Sequence, residues 1–160
     1  MKLNTIFILL FLGLCIAQPI MAAEAKTEAR FQLLSGPIVL DSRTGLMWAT
    51  RDNGKDATFY DAEKHCDLLR TGGYDDWRLP DIKELMTLYL PGKRNSSGCF
   101  MSDLFKLSEC SFWSSYSSIG GAALFNFRVG KRSFGYNRDS YQLRALAVRG
   151  TMKPKSDDKS

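Results

Sequence analysis

Residues 73–85, GYDDWRLPDIKEL, compress a turn, a large aromatic, a cation, a proline and a helix start into one short stretch. Trp77 brings on the order of 200 Å² of mostly apolar surface that needs a core. Pro80 holds Leu79 extended and removes one backbone donor. Asp81 and Glu84 have the cap and third-position spacing of a capping-box helix start. Ile82, Leu85, Leu88 and Tyr89 then line one face until Pro91 and Gly92 stop the helix. The stretch reads as scaffold: Trp77 and Leu79 fill a core where two helices meet a sheet, and Arg78 satisfies a carboxylate or backbone carbonyls. Asp75 and Asp76 sit in a turn, where consecutive carboxylates are more often solvated or held by nearby donors than engaged in acid–base work.

The chain's start speaks to compartment. Lys2, an apolar block at residues 6–16, Gln18 and Pro19, and the small Ala22 and Ala23 have the layout of a secretory signal peptide spanning 1–23. The block is too short to cross a hydrocarbon core, which needs about 20 apolar residues. Cys15 follows Leu14 inside that block, where lipid attachment is not expected. The expected protein is periplasmic or secreted, without stable membrane insertion after cleavage. The rest fits one domain, 24–150, followed by a polar, disordered tail, 151–160. The formal net charge of +5 drops by one with Lys2 and is spread among many acids, which is not a nucleic-acid signature.

Cleavage leaves Cys66, Cys99 and Cys110, an odd number for an oxidising compartment. A Cys99–Cys110 bridge would close a short loop and stabilise by about 3 kcal/mol in the chain-entropy model. Cys66 reads as a small buried hydrophobe; its pairing with either of the others stays open at this point.

Residues 31–49 read as extended, broken at Ser35, Gly36 and Pro37 and again by a hairpin turn at 41–45, with Trp48 in the core. Asp52, Asp56 and Glu63 have partial calcium-loop spacing, but Gly54 and Ala57 stand where an oxygen ligand and a glycine are needed, so no metal is expected. A helix follows, capped by Thr58, with Asp61 in its first turn, Phe59, Ala62, Cys66 and Leu69 on its apolar face, and Gly72 and Gly73 ending it. His65, the only histidine, points about 100° away from neighbouring Cys66, so the two do not form a nucleophile and base. Asp61 is within reach of His65 across one turn.

Residues 93–111 read as a long loop with a flexible tip at 95–98, and residues 112–116 as a strand. Its serines have no Gly-x-Ser-x-Gly context and no histidine base, which argues against a serine hydrolase. Residues 123–129 alternate, a turn is expected at 130–133, and strands follow at 134–138 and 144–149. This hairpin places Arg128, Lys131, Arg132 and Arg138 beside Tyr136 and Tyr141, a mixture suited to acidic polymers or glycans.

The succession Asp41, Thr44 to Trp48, Ala62 and Cys66, Gly73, Asp76 to Pro80, Glu84 and Leu85, Phe112 to Ser115, and Val148 and Arg149 resembles the Lcl C-terminal domain family over nearly the whole mature chain. Trp48, Trp77, Arg78, Leu79, Pro80 and Trp113 are its structural signature here. The resemblance implies an α+β, C-type-lectin-like fold: two helices packed on twisted antiparallel strands, the first and last strands paired, with a long loop region between. Family members are mostly bacterial envelope or secreted proteins, and the adhesin domain that names the family binds glycosaminoglycans. This chain has no collagen-like Gly-x-y repeats like that adhesin's, and none of the Glu-Pro-Asn or Trp-Asn-Asp strings of calcium-dependent lectins. The expected function is a non-enzymatic binding module without cofactor, recognising a glycan, an acidic polymer or an envelope protein through residues 93–111 and the basic hairpin. One alternative is a periplasmic accessory factor of a surface appendage such as a type IV pilus. A second is a cysteine-dependent enzyme related to formylglycine-generating enzymes.

Overall fold

The computed structural model describes residues 30–140 and 142–153; the expected signal peptide and most of the expected tail lie outside them. The elements run β1 (Phe31–Leu33), β2 (Ile38–Asp41), β3 (Met47–Ala49), α1 (Phe59–Leu68), a 3-10 turn (Thr71–Gly73), α2 (Ile82–Thr87), β4 (Ser111–Ser118), β5 (Gly121–Asn126), β6 (Lys131–Tyr136) and β7 (Val148–Arg149). Among the described residues the fold is α+β, with two helices and two antiparallel sheets, ordered β1-β2-β3-β7 and β4-β5-β6.

In the first sheet Trp48 is flanked by Val39 and Val148 in register, and all three are buried in the larger apolar cluster with Leu85, Phe105, Phe112 and Phe125. The turn between β2 and β3 forms because the Gly45 N–H donates to the Asp41 carbonyl (2.7 Å), with Gly45 at φ +75°, a region that favours glycine. The second sheet is buried on both faces where the start of β4 meets β5, while β6 is exposed. Phe112 pairs with Phe125 toward the larger cluster, whereas Trp113 pairs with Leu124 toward a second cluster holding Ile38, Phe59, Ala62, Cys66, Trp77 and Leu79.

The WRLP stretch fastens these parts together. Arg78 exchanges backbone hydrogen bonds with Val148 of β7 (2.9 and 3.0 Å), and the Pro80 carbonyl accepts from the Ser115 N–H of β4 (2.7 Å), so the stretch joins both sheets. Trp77 and Leu79 are buried in the α1-side cluster, with the Trp77 Nε1 donating to the Thr71 carbonyl (3.2 Å). Trp77 therefore packs under α1 and not at a junction of both helices, because α2 places Leu85 in the other cluster. Both helix starts follow their sequence signals. Thr58 Oγ1 accepts from the Asp61 N–H, and Asp81 and Glu84 form a reciprocal capping box.

Several expectations shift. The turn between β5 and β6 occupies residues 127–130 and not 130–133: Gly130 closes onto the Asn126 carbonyl (2.8 Å) and Phe127 is drawn into the larger cluster. Lys131 and Arg132 are consequently strand residues. The final strand is only Val148–Arg149, because the preceding residues serve both sheets in turn: Arg144 bridges Phe112, and Ala147 accepts from Ala49 (3.0 Å). That strand pairs with β3, and β1 lies at the other end of the order, so the first and last strands are not partners. Ordered contacts also continue past Gly150: Met152 packs on the larger cluster, and the Lys153 N–H donates to the Thr44 carbonyl (2.8 Å).

Candidate functional site

The groups that most resemble catalytic ones are the cysteines, Asp61 and His65. Cys99 and Cys110 form a disulfide with Cα atoms 5.3 Å apart. Cys66 is the free thiol among the described residues and is buried; burial, with Glu63 adding to it, pushes its pKa up to about 12, which removes the thiolate that nucleophilic chemistry requires. Asp61 hydrogen-bonds with the Thr58 hydroxyl (2.8 Å). His65 is half-buried, and desolvation lowers its pKa. Among the described residues no group of three or more His, Cys, Asp and Glu side chains is placed to hold a metal. Asp52, from the partial calcium loop, instead accepts from the backbone and hydroxyl of Ser108 (2.8 Å each).

The signature polar groups act on the fold. Arg78 makes a two-pronged pair with Glu84 (2.7 Å each) and donates to the Gly150 carbonyl (2.8 Å). Asp76 takes two hydrogen bonds from Arg149 (2.6 and 3.2 Å), which hold its carboxyl below the usual range. Arg149 also lies 3.6 Å from the Tyr74 ring centroid.

Residues 93–111 form part of the core. Met101, Phe105 and Leu107 are buried, and the Phe105 ring meets Phe31 edge-on at 6.0 Å. The 95–98 tip is fixed and not flexible: Asn95 is buried, its Oδ1 accepts from the Ser97 and Cys99 N–H groups (3.1 and 3.0 Å), and its Nδ2 donates to Phe105 (3.2 Å). Buried backbone polar groups need partners, and one asparagine supplies three here.

The hairpin residues divide by role. Tyr136 meets Trp113 edge-on at 5.6 Å and is partly buried against the α1-side cluster, so it serves packing. Arg138 Nε donates to Ser117 Oγ (2.9 Å), its guanidinium also reaches the Ser118 carbonyl, and it straps β4. Arg128 pairs with Glu109 (3.3 Å) with both side chains substantially exposed. Lys131 is exposed on β6 and makes no side-chain hydrogen bond or ion pair among the described residues. Arg132 stands opposite Phe125, and its Nη1 lies 3.7 Å from Met86 Sδ on α2 and its guanidinium carbon 5.9 Å from the Phe134 ring centroid. Phe134 in turn meets Tyr116 edge-on at 5.4 Å. Tyr141 lies outside the described residues.

Arg132 is thus the centre of a patch that also contains Met86, Tyr116 and Phe134, which are 40%, 46% and 53% exposed. The sequence marked the cations; it did not mark these three apolar partners, which are brought together from α2, β4 and β6. The available signal was that Phe134 falls in a stretch with no apolar alternation, KRSFGY, so it had no buried face to join.

The sequence model of the Lcl C-terminal domain family matches residues 37–149, a span running from just before β2 to the end of β7. No curated protein matches the chain. The chain belongs to the Lcl C-terminal domain family.

Proposed function

We propose that this protein is a non-enzymatic binding module, exported to the periplasm or the cell exterior, that recognises an anionic partner through the β6 side of its second sheet. The observation that carries the reading is the β6 surface itself. Lys131 to Gly135 are exposed, and the segment 127–138 contains Arg128, Lys131, Arg132 and Arg138 and no acid. Exposed cations interleaved with exposed aromatics suit an anionic surface, because the rings contribute apolar contact while the charges steer encounter. Cys99 and Cys110 are bonded to each other and Cys66 is buried, so the described cysteines offer no exposed thiol, which favours a binding over a cysteine-dependent reading. Export rests on the layout of residues 1–23. The two-helix, two-sheet architecture is consistent with the C-type-lectin-like fold implied by the family, and that assignment is part of the proposal.

The test is retention on heparin and on poly-L-glutamate at about 50 mM salt. The wild-type protein is expected to bind at least one matrix and elute with salt, whereas Lys131→Ala/Arg132→Ala elutes earlier with unchanged unfolding temperature. Wild-type flow-through on both matrices, or identical elution of the variant, contradicts the reading.

A further inference from the structure

β6 is the outer strand of the second sheet. The other outer strand, β4, is partly engaged along its far side, since Trp113 and Ser111 bond with Arg144 and Ser115 bonds with Pro80. For β6, no backbone hydrogen bond beyond those to β5 and within its own hairpin occurs among the described residues. An open row of N–H and C=O groups is a template for another strand. The one irregularity lies at its far end, where Phe134 and Gly135 together face Ala123, with Gly135 at φ +73°. This bulge leaves the residues from Lys131 to Ser133 regularly paired with β5 and presenting their outer edge.

Exposure of large apolar side chains is concentrated nearby. Of the eight among the described residues, Tyr116, Ile119, Val129 and Phe134 belong to this sheet or its turns, and Met86 lies against Arg132. A strand added to β6 would run beside Phe134 and Arg132, gaining apolar contact on the α2 side of the sheet as well as main-chain hydrogen bonds. The charge of the edge selects the occupant. With Lys131 and Arg132 exposed on the edge and no acid in residues 127–138, a second copy of this edge would set like charges against each other at the junction, whereas an acidic strand would neutralise them.

We infer that the open edge of β6 takes up an extended acidic segment of a partner protein as a fourth strand. Carboxylates of that segment would face Lys131 and Arg132, and an apolar residue would rest on Phe134 and Tyr116. This inference rests on the proposed binding function and narrows its partner from any anionic surface to a polypeptide. It explains the pairing of features on β6: cations give sign selectivity, and the open backbone gives an affinity that a glycan could not use in the same way.

The probe is a capped peptide of pattern Phe-Thr-Glu-Glu-Thr-Phe, whose adjacent glutamates reach both faces of the edge, made in three forms: unmodified, and N-methylated on each of the two alternating sets of amides. An added strand turns one edge toward β6, so N-methylation of one set should abolish binding and of the other spare it. Amide exchange in residues 131–134 should slow when the unmodified peptide binds. Lys131→Ala/Arg132→Ala should weaken its binding by about tenfold while leaving the unfolding temperature unchanged. Equal binding of both methylated forms, with no slowing of exchange, overturns strand addition while leaving an anionic-partner function intact. Heparin binding through Lys131 and Arg132 without peptide binding assigns the surface to glycans and likewise overturns it. A concentration-dependent dimer that protects the same amides assigns the edge to a second copy. Failure of heparin, poly-L-glutamate and peptide alike removes the underlying functional proposal as well.

Discussion

The indole N–H of Trp113 donates to the Ala57 carbonyl at 2.8 Å inside the core, and that of Trp77 reaches Thr71, whereas the Trp48 Nε1 is buried without a hydrogen-bond partner among the described residues. A buried, unmet donor gains nothing from being retained. Trp113→Phe should therefore destabilise more than Trp48→Phe, by about 1 kcal/mol in urea unfolding; equal costs would show that the hydrogen bond to Ala57 contributes nothing. His65 supplies a pH dependence. Burial lowers its pKa, against the opposing pull of Asp52, so around its unfolded value of about 6.5 the unfolded chain binds more protons. Its contribution to stability is present above that value and is lost as pH falls through the lowered folded pKa. His65→Asn should flatten the stability profile in this window, and unfolding midpoints measured from pH 7.5 down to 5 check it. Trp48 and Trp77 were legible in the sequence as core and Trp113 as part of the structural signature, but which indole lacks a partner depends on distant carbonyls that spacing does not encode.

At the scale of elements, local signals were the legible ones. The Asp81 and Glu84 spacing specified the α2 start, and the observed capping box reproduces it. Glu84 does more than cap, because Arg78 grips both of its carboxylate oxygens. Asp81→Ala should cost about 1 kcal/mol, and Glu84→Ala should cost more, since it also leaves Arg78 without its carboxylate; chemical denaturation of the two variants compares them. The alternation of residues 123–129 as far as Val129 predicts a β5–β6 turn later than the observed one, because Phe127 enters the core from within the turn. The composition of residues 93–111 predicts a loop with a flexible tip, and no helix or strand occurs there before Ser111. What composition does not show is that the hydrogen bonds of Asn95 and the Cys99–Cys110 bridge close this loop against the core.

Across the whole molecule, family and fold class were legible because a few bulky residues in order constrain how sheets and helices meet. The binding patch was only half legible. Its cations cluster in sequence, but Met86, Tyr116 and Phe134 become neighbours only through tertiary packing, and two of the expected binding residues, Tyr136 and Arg138, turn out to brace the sheet. The resulting division is between a stretch that joins both sheets, around Trp77 to Pro80, and a β6 surface left available for recognition. Trp77 is buried in the α1-side cluster, whereas Lys131 and Arg132 are exposed on β6. The most direct measurement is urea unfolding of Trp77→Ala beside the wild-type protein. The scaffold role predicts a loss of about 3 to 5 kcal/mol and depletion of folded protein; a stable, fully folded Trp77→Ala protein that had lost only its binding would place the functional site at the signature and contradict the account.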